Sequence, residues 1–247
     1  MNTKTYIIAA GIGIAAIIGI VIAASIAMST PSSTTTGNSD NTAQLNVFST
    51  DSSPYGLPYA EWTAKWWQWV LETPEDTNPL LDNTGEYCNV NQNEASPVFF
   101  LAGTTGGAVE RTCSVPAGKA ILFPAWNSEC NPIEYPALKT KEEFIACTKE
   151  GQDQITDLQA DIDGVGIPNL KNYNIQSPFF KVKLPEKNLL GVPAGTETEA
   201  VSDGYWVFIG PLDDGEHTIH FKGVQVDYTT AAQNSFSTET TYHLTVK

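Results

Sequence analysis

The chain has 247 residues, enough for one substantial core or two small ones, and a formal net charge of −15. Such acidity excludes nucleic-acid phosphates and anionic membrane surfaces as natural partners, because like charges repel. Its six tryptophans are unevenly spread, with four of them between Trp62 and Trp69.

The N-terminus carries "YIIAAGIGIAAIIGIVIAASIAM", Tyr6 to Met28, without a charged residue. A signal-peptide core needs about 7–15 apolar residues, whereas a membrane-spanning helix needs ~20. The run therefore predicts a transmembrane signal anchor over residues 1–28. Lys4 is followed by no further lysine until Lys65. The positive-inside rule thus leaves the N-terminus in the cytoplasm and the folded part outside a single-pass protein of the cell membrane. Ser25-Ile26-Ala27 also fits a small-x-small cleavage pattern, so secretion after cleavage near Ala27 is the alternative. Residues 29–47, beginning "STPSSTTTGNSDNTAQ", hold almost nothing apolar to bury and read as a Ser/Thr-rich stalk. At a maximum of about 3.3–3.6 Å per residue, the quoted stretch Ser29 to Gln44 alone could hold the folded part roughly 50 Å from the membrane. An extracytoplasmic β-rich domain is expected over residues 48–247.

Next comes "YAEWTAKWWQWVLE". On a helical wheel Tyr59, Trp62, Trp66, Trp69 and Val70 form one apolar stripe, with Glu61, Lys65, Gln68 and Glu72 in a narrow polar arc. Four exposed tryptophans would present on the order of 600–1,000 Å². The largest apolar patch on a typical monomer is only about 300–600 Å². The stretch is therefore assigned to a core helix closing one end of a sandwich. Trp67 lies about 100° off the stripe and is the ring best placed to face a ligand.

"SPVFFLAGTTGGAVERTCSVPAGKAILFPAW" contains three β-rich runs separated by two turn signals. "KTKEEFIACTKEGQDQITDLQADI" carries helix formers, with Gly151 as a break, and reads as a short helical insertion. Strand-like runs return in "SPFFKVKL", "GYWVFIG", "HTIHFKGVQVDY" and "TTYHLTV". The fold class is mainly β: an antiparallel β-sandwich, jelly-roll or Ig-like, with a Trp-rich N-terminal helix, preceded by the single transmembrane helix.

Cys88, Cys113, Cys130 and Cys147 are expected as two disulfides in an exported chain. The spacing leaves all three pairings open. Sequential pairing is preferred, each bond closing a local loop for roughly 3 kcal/mol in the chain-entropy model. No C-x-x-C pair suggests a zinc site.

Arg111, the sole arginine, shares its alternating phase with Val109, Cys113 and Val115 and so points where the apolar side chains point. A buried guanidinium calls for a carboxylate, and Glu129 or Glu61 is expected to supply it. The functional alternative is an anion clamp beside "PAWNSEC", where Trp126, Asn127 and Glu129 follow a predicted strand end. Trp67, Arg111, Trp126, Asn127 and Glu129 form the candidate ligand-binding set. His220 and His243 fall on the polar faces of their strands and would meet only if those strands were neighbours. Two histidines do not make a metal site, and no cofactor or metal is assigned. "DIDG" at Asp161 reads as a strand end or hairpin rather than a calcium loop. No G-x-S-x-G, P-loop or H-E-x-x-H motif is present, so no catalytic residue is assigned.

"YAEWTAKWWQWVL", "NPLLDNTGEYC", "RTCSVPAGKAILFPAWNSEC" and "SDGYWVFIGPLDDGEHTIHF…TYHLTV" resemble a group of exported proteins of environmental bacteria and archaea. The resemblance implies one exported β-rich domain beginning near Phe48, and no reaction, cofactor or functional residue. Together these readings predict a membrane-tethered binding, recognition or envelope protein without catalysis. Its partners would be the membrane, through the N-terminal helix, and an extracellular glycan or protein. An extracellular carbohydrate-active hydrolase or lyase, with Glu129 as acid or base, and an accessory subunit of a membrane complex are the alternatives.

Overall fold

The computed structural model describes residues 45–150, 152–226 and 235–247. The expected anchor and most of the stalk lie outside these residues. Among the described residues no helix is long and apolar enough to cross a membrane. Leu45 and Val47, at the end of the expected stalk, already belong to the folded part. Val47 bridges Ile209, and both residues pack on the apolar core.

Helix α1, Tyr59–Leu71, forms where the apolar stripe predicts it. Glu61 in its first turn complements the positive end of the helix dipole. Its last carbonyls are satisfied from beyond the helix. Thr73 Oγ1 donates to the carbonyl of Trp69 at 2.7 Å, and Asn78 Nδ2 donates to that of Val70 at 2.8 Å. Pro74 then prevents continuation.

Among the described residues ten strands form two five-stranded sheets. In the first, β1 (Val98–Phe100), β3 (Ala120–Cys130), β8 (Glu197–Ile209) and β6 (Asn174–Gln176) lie side by side, and β7 (Phe180–Lys183) also pairs with β8. The second runs β2 (Gly107–Val115), β10 (Ser235–Val246), β9 (Gly215–Val226), β4 (Ile155–Ile162), β5 (Val165–Gly166). The sheets are mixed rather than antiparallel throughout, because β1 runs parallel to β3 and β2 parallel to β10. β2 and β10 are far apart in sequence, and β1 and β3 are separated by β2 of the other sheet, which local turn signals cannot reveal. "ITDLQADI", read above with the helix formers, is strand β4 on β9. Helix α2, Lys141–Lys149, stops before it. "DIDG" is the β4–β5 hairpin, with Asp163 and Gly164 at positive φ.

The tryptophan helix does not close one end of the sandwich. It lies across the outer face of the first sheet, touching β3, β6, β7 and β8. That sheet is therefore apolar on both faces. Leu122, Trp206 and Phe208 meet α1, while Ile121, Phe123 and Val207 meet the second sheet. Strands buried on both sides lose the alternating pattern, which is why "AILF" and "WVFI" read as unbroken apolar runs. The polar arc of α1 is not simply solvated. Gln68 Nε2 donates to the carbonyl of Lys181 at 2.9 Å, and Glu72 Oε1 accepts from the amide of Lys183 at 3.1 Å. These two side chains cover the outer edge of β7, whose backbone would otherwise be free to pair with another chain.

Both disulfides form in the sequential pairing, Cys88–Cys113 and Cys130–Cys147. The first ties the segment after α1 to β2. The second ties the end of β3 to α2, Lys141–Lys149, whose N-terminus is fixed by a capping box between Thr140 and Glu143.

Candidate functional site

The site is built by an irregularity in β3. Its pairing with β8 is regular up to Pro124 opposite Trp206 and resumes with Trp126 opposite Tyr205, leaving Ala125 as an extra residue. Such a bulge re-aims the side chains that follow it. Ala125 and Trp126 consecutively face the second sheet: Ala125 joins the inter-sheet core, and the Trp126 indole lies on Gly223 of β9 and edge-on to Phe236 of β10 at 5.8 Å. Asn127 and Glu129 are then turned to the α1 side. Since β1 pairs only with Ala120–Leu122, no strand among the described residues pairs with that edge of β3 beyond Leu122, and Pro124 there has no N–H to leave unpaired.

A half-open cavity of about 60 Å³ lies beside this edge. Trp67 of α1, Pro124 and Asn127 line it from one side, and Trp126, Phe221 and Phe236 from the other. Leu80, Gly103, Thr104, Thr105, Ala125 and Thr238 complete the wall, so no ionisable side chain among the described residues lines it. Trp67 is only 2% exposed, not marginal as its wheel position implies, yet its Nε1 has no acceptor among the described residues. The other three indoles of α1 do find one: Trp62 donates to the carbonyl of Pro54 at 2.9 Å, Trp66 to that of Leu101 at 2.9 Å, and Trp69 to that of Val90 at 2.8 Å. Asn127 Nδ2, also buried, likewise has no acceptor.

Of the five candidate residues, Trp67, Trp126 and Asn127 meet at this cavity, and Arg111 and Glu129 do not line it. Arg111 is buried as its phase predicts, but neither Glu129 nor Glu61 pairs with it. Its Nε donates to the carbonyl of Asp82 at 2.6 Å, and Nη1 to those of Ala102 at 2.7 Å and Gly103 at 2.9 Å and to the Tyr242 hydroxyl at 2.8 Å. Backbone carbonyls thus replace the expected carboxylate, and Arg111 braces the Ala102–Gly103 segment from behind the cavity wall. The Asp82 carboxylate is used locally, accepting from Thr84 and from the amide of Tyr87. Burial alone would raise its pKa, but these hydrogen bonds outweigh it and hold the group below the ordinary carboxylate value.

Glu129 is buried against Glu134. Asn131 Nδ2 donates to both Glu129 oxygens, at 3.1 and 3.2 Å, and to Glu134 Oε2 at 2.6 Å. Burial, then the charge of Glu134, pushes the Glu129 carboxyl well above its usual range, and Glu134 is raised as well, first by burial. Two carboxyls converging on one amide disfavour each other's charge. The same surroundings push Tyr135 up to about 12, burial first and the charges of Glu134 and Glu129 after it.

His220 and His243 lie on one face of neighbouring strands, but the register sets His220 opposite Thr241 and His243 opposite Thr218. The two ring nitrogens of His220 go instead to Asp161, at 2.9 Å, and Glu239, at 3.1 Å. Among the described residues no group of three or more His, Cys, Asp or Glu could hold a metal ion.

The cavity residues beyond the candidate set had little to announce them. Phe221 and Phe236 look like ordinary strand residues. Only Gly223 carried a readable cue, since a glycine inside a strand pattern marks close approach of another group. A Cβ there would sit 2.3 Å from Trp126 Cε3.

No protein-family model matches the chain, and no curated protein does. A solved structure of PbICP-C in complex with falcipain-2 is similar at 10% identity over 63% of this chain and 96% of that one, with a TM-score of 0.21. At that score the likeness carries no argument about fold or function.

Proposed function

We propose that the protein is a membrane-tethered, extracytoplasmic binding protein that presents its β-sandwich, of jelly-roll or Ig-like type, at the end of the stalk and catalyses no reaction. The observation that carries this reading is the recessed cavity around Trp67, Trp126 and Asn127, aromatic on several sides and lined by no acid or base among the described residues. Aromatic walls with a few polar groups are what a binding pocket needs. A proton-transfer catalyst would need a titratable group within reach of the ligand. Two disulfides support an oxidising compartment, and the charge-free Tyr6–Met28 run supports the anchor.

The second reading is a carbohydrate-active hydrolase or lyase. It is favoured by the buried Glu129 carboxyl, two residues from Asn127 and turned to the same side of β3. Both readings meet one experiment. Full-length protein in proteoliposomes is mixed with extracellular polysaccharide or with protein-coated beads, and retention and released product are both measured. Retention without new reducing ends supports the binding protein, and product release that Glu129→Gln abolishes supports the enzyme. External protease should free the folded part from intact cells. A soluble form starting near Met28 would replace the anchor by a cleaved signal.

A further inference from the structure

Resting on this binding reading, we infer that the cavity takes one uncharged ring at the end of a glycan, whose oxygen atoms accept from the Trp67 indole and the Asn127 amide. A flat polysaccharide surface does not fit. A platform needs coplanar, exposed rings, whereas Trp67 and Trp126 are 2% and 8% exposed, and Trp126 meets Phe236 at 81°. The space of about 60 Å³ is several times the ~10–15 Å³ that seats one water, room for a ring but not for a run of them.

Charge decides the class of ring. With no Arg, Lys, His, Asp or Glu among the described residues of the wall, an ionised ligand would lose its hydration without meeting a counter-charge there. The net charge of −15 also repels anionic sugars at a distance. Hydrogen bonding decides the orientation. Trp67 Nε1 and Asn127 Nδ2 are donors left without acceptors, in residues that both face the cavity. Sugar hydroxyl, ring or acetamido oxygens supply acceptors. The apolar C–H face of the same ring can lie on Trp126, while the Thr105 and Thr238 hydroxyls at the rim can serve as donor or acceptor.

The test uses full-length protein in detergent micelles with ¹⁵N-labelled indoles. The probes are methyl glycosides of glucose, galactose and N-acetylglucosamine, with methyl glucuronide as the charged comparison. At least one neutral glycoside should shift the Trp67 and Trp126 indole signals saturably, and the glucuronide should not. Trp67→Phe keeps a ring but removes the N–H, and Asn127→Ala removes the amide. Each should weaken binding by roughly fivefold to tenfold, the loss of about one hydrogen bond. Binding unchanged in both variants, or equal binding of the glucuronide, would overturn the inference. Saccharide shifts confined to other indoles, or retention on polysaccharide or protein beads with no glycoside response, would sink it while leaving the binding reading intact. Failure in both assays would remove the binding reading too.

Discussion

Ala120–Phe123 and Trp126–Cys130 are consecutive stretches of one strand, yet they are built to opposite rules. The first half of β3 is apolar on both faces, clamped between α1 and the second sheet, and paired with β1 over Ala120–Leu122 and with β8 from Ile121. The second half, after one extra residue, has one edge without a paired strand among the described residues, a cavity, an amide without an acceptor and a buried carboxyl pair. One bulge separates a stretch optimised for packing from one that forgoes packing to leave space. The lesson is that a site can be placed inside a rigid core without loosening the core around it.

The comparison is broken most directly by Trp66→Ala. Trp66 is fully buried beneath the first half, edge-on to Trp67, Trp69 and Trp206. Its truncation should cost about 3–5 kcal/mol in urea unfolding of the full chain. A cost near zero would mean the outer face of the sheet is not core. Replacing Cys130 and Cys147 together by Ser removes the tie at the end of the second half, and for a loop of this size should cost about 3 kcal/mol. A loss as large as that for Trp66→Ala, accompanied by collapse of the α1 side, would show the halves are not independent.

Glu129→Gln sharpens the contrast through pH. In the unfolded chain Glu129 titrates near its ordinary value of 4.5, and in the folded chain well above it, because burial and then Glu134 disfavour its charge. Below about 4.5 both states hold the proton and the contribution to stability is whole. As pH rises through the raised value, the unfolded state binds fewer protons than the folded one, so stability falls. Glutamine keeps the site neutral. The variant should therefore gain on the wild type from pH 4 to pH 8, read from urea midpoints at each pH. A wild-type-minus-variant difference that ignores pH would contradict the raised Glu129 value. The smallest effect is expected for Asn127→Ala, whose Nδ2 has no acceptor to lose. Its stability should change by no more than roughly 0.5 kcal/mol.

The first half of β3 was legible in the sequence and the second was not. Periodicity found α1, the apolar runs found the sheets, and loop length favoured the disulfide pairing that forms. These are features in which each residue acts through its neighbours in the chain. The bulge is different, because "LFPAWNSEC" reads as a strand end and nothing in it says that Ala125 is unpaired. Arg111 was placed inside correctly and given the wrong partner, because carbonyls of Asp82, Ala102 and Gly103 carry no mark of their orientation in a sequence. Trp67, Trp126 and Asn127 were singled out separately, for wheel angle and strand position. Their convergence depends on a tertiary crossing between α1 and the edge of β3.

Gly223 turns that geometry into a criterion for comparing sequences. Its missing side chain is the hollow in which the Trp126 indole rests, and even the methyl of alanine would occupy ring atoms. Positions 126 and 223 must therefore vary together across descendants of this chain: a large residue at 126 demands glycine at 223, and a side chain at 223 evicts the indole. Evolution can close the cavity with a single methyl group while leaving every lining residue in place. A related sequence that keeps Trp67, Trp126 and Asn127 but has lost Gly223 has kept the vocabulary of the site and given up its meaning.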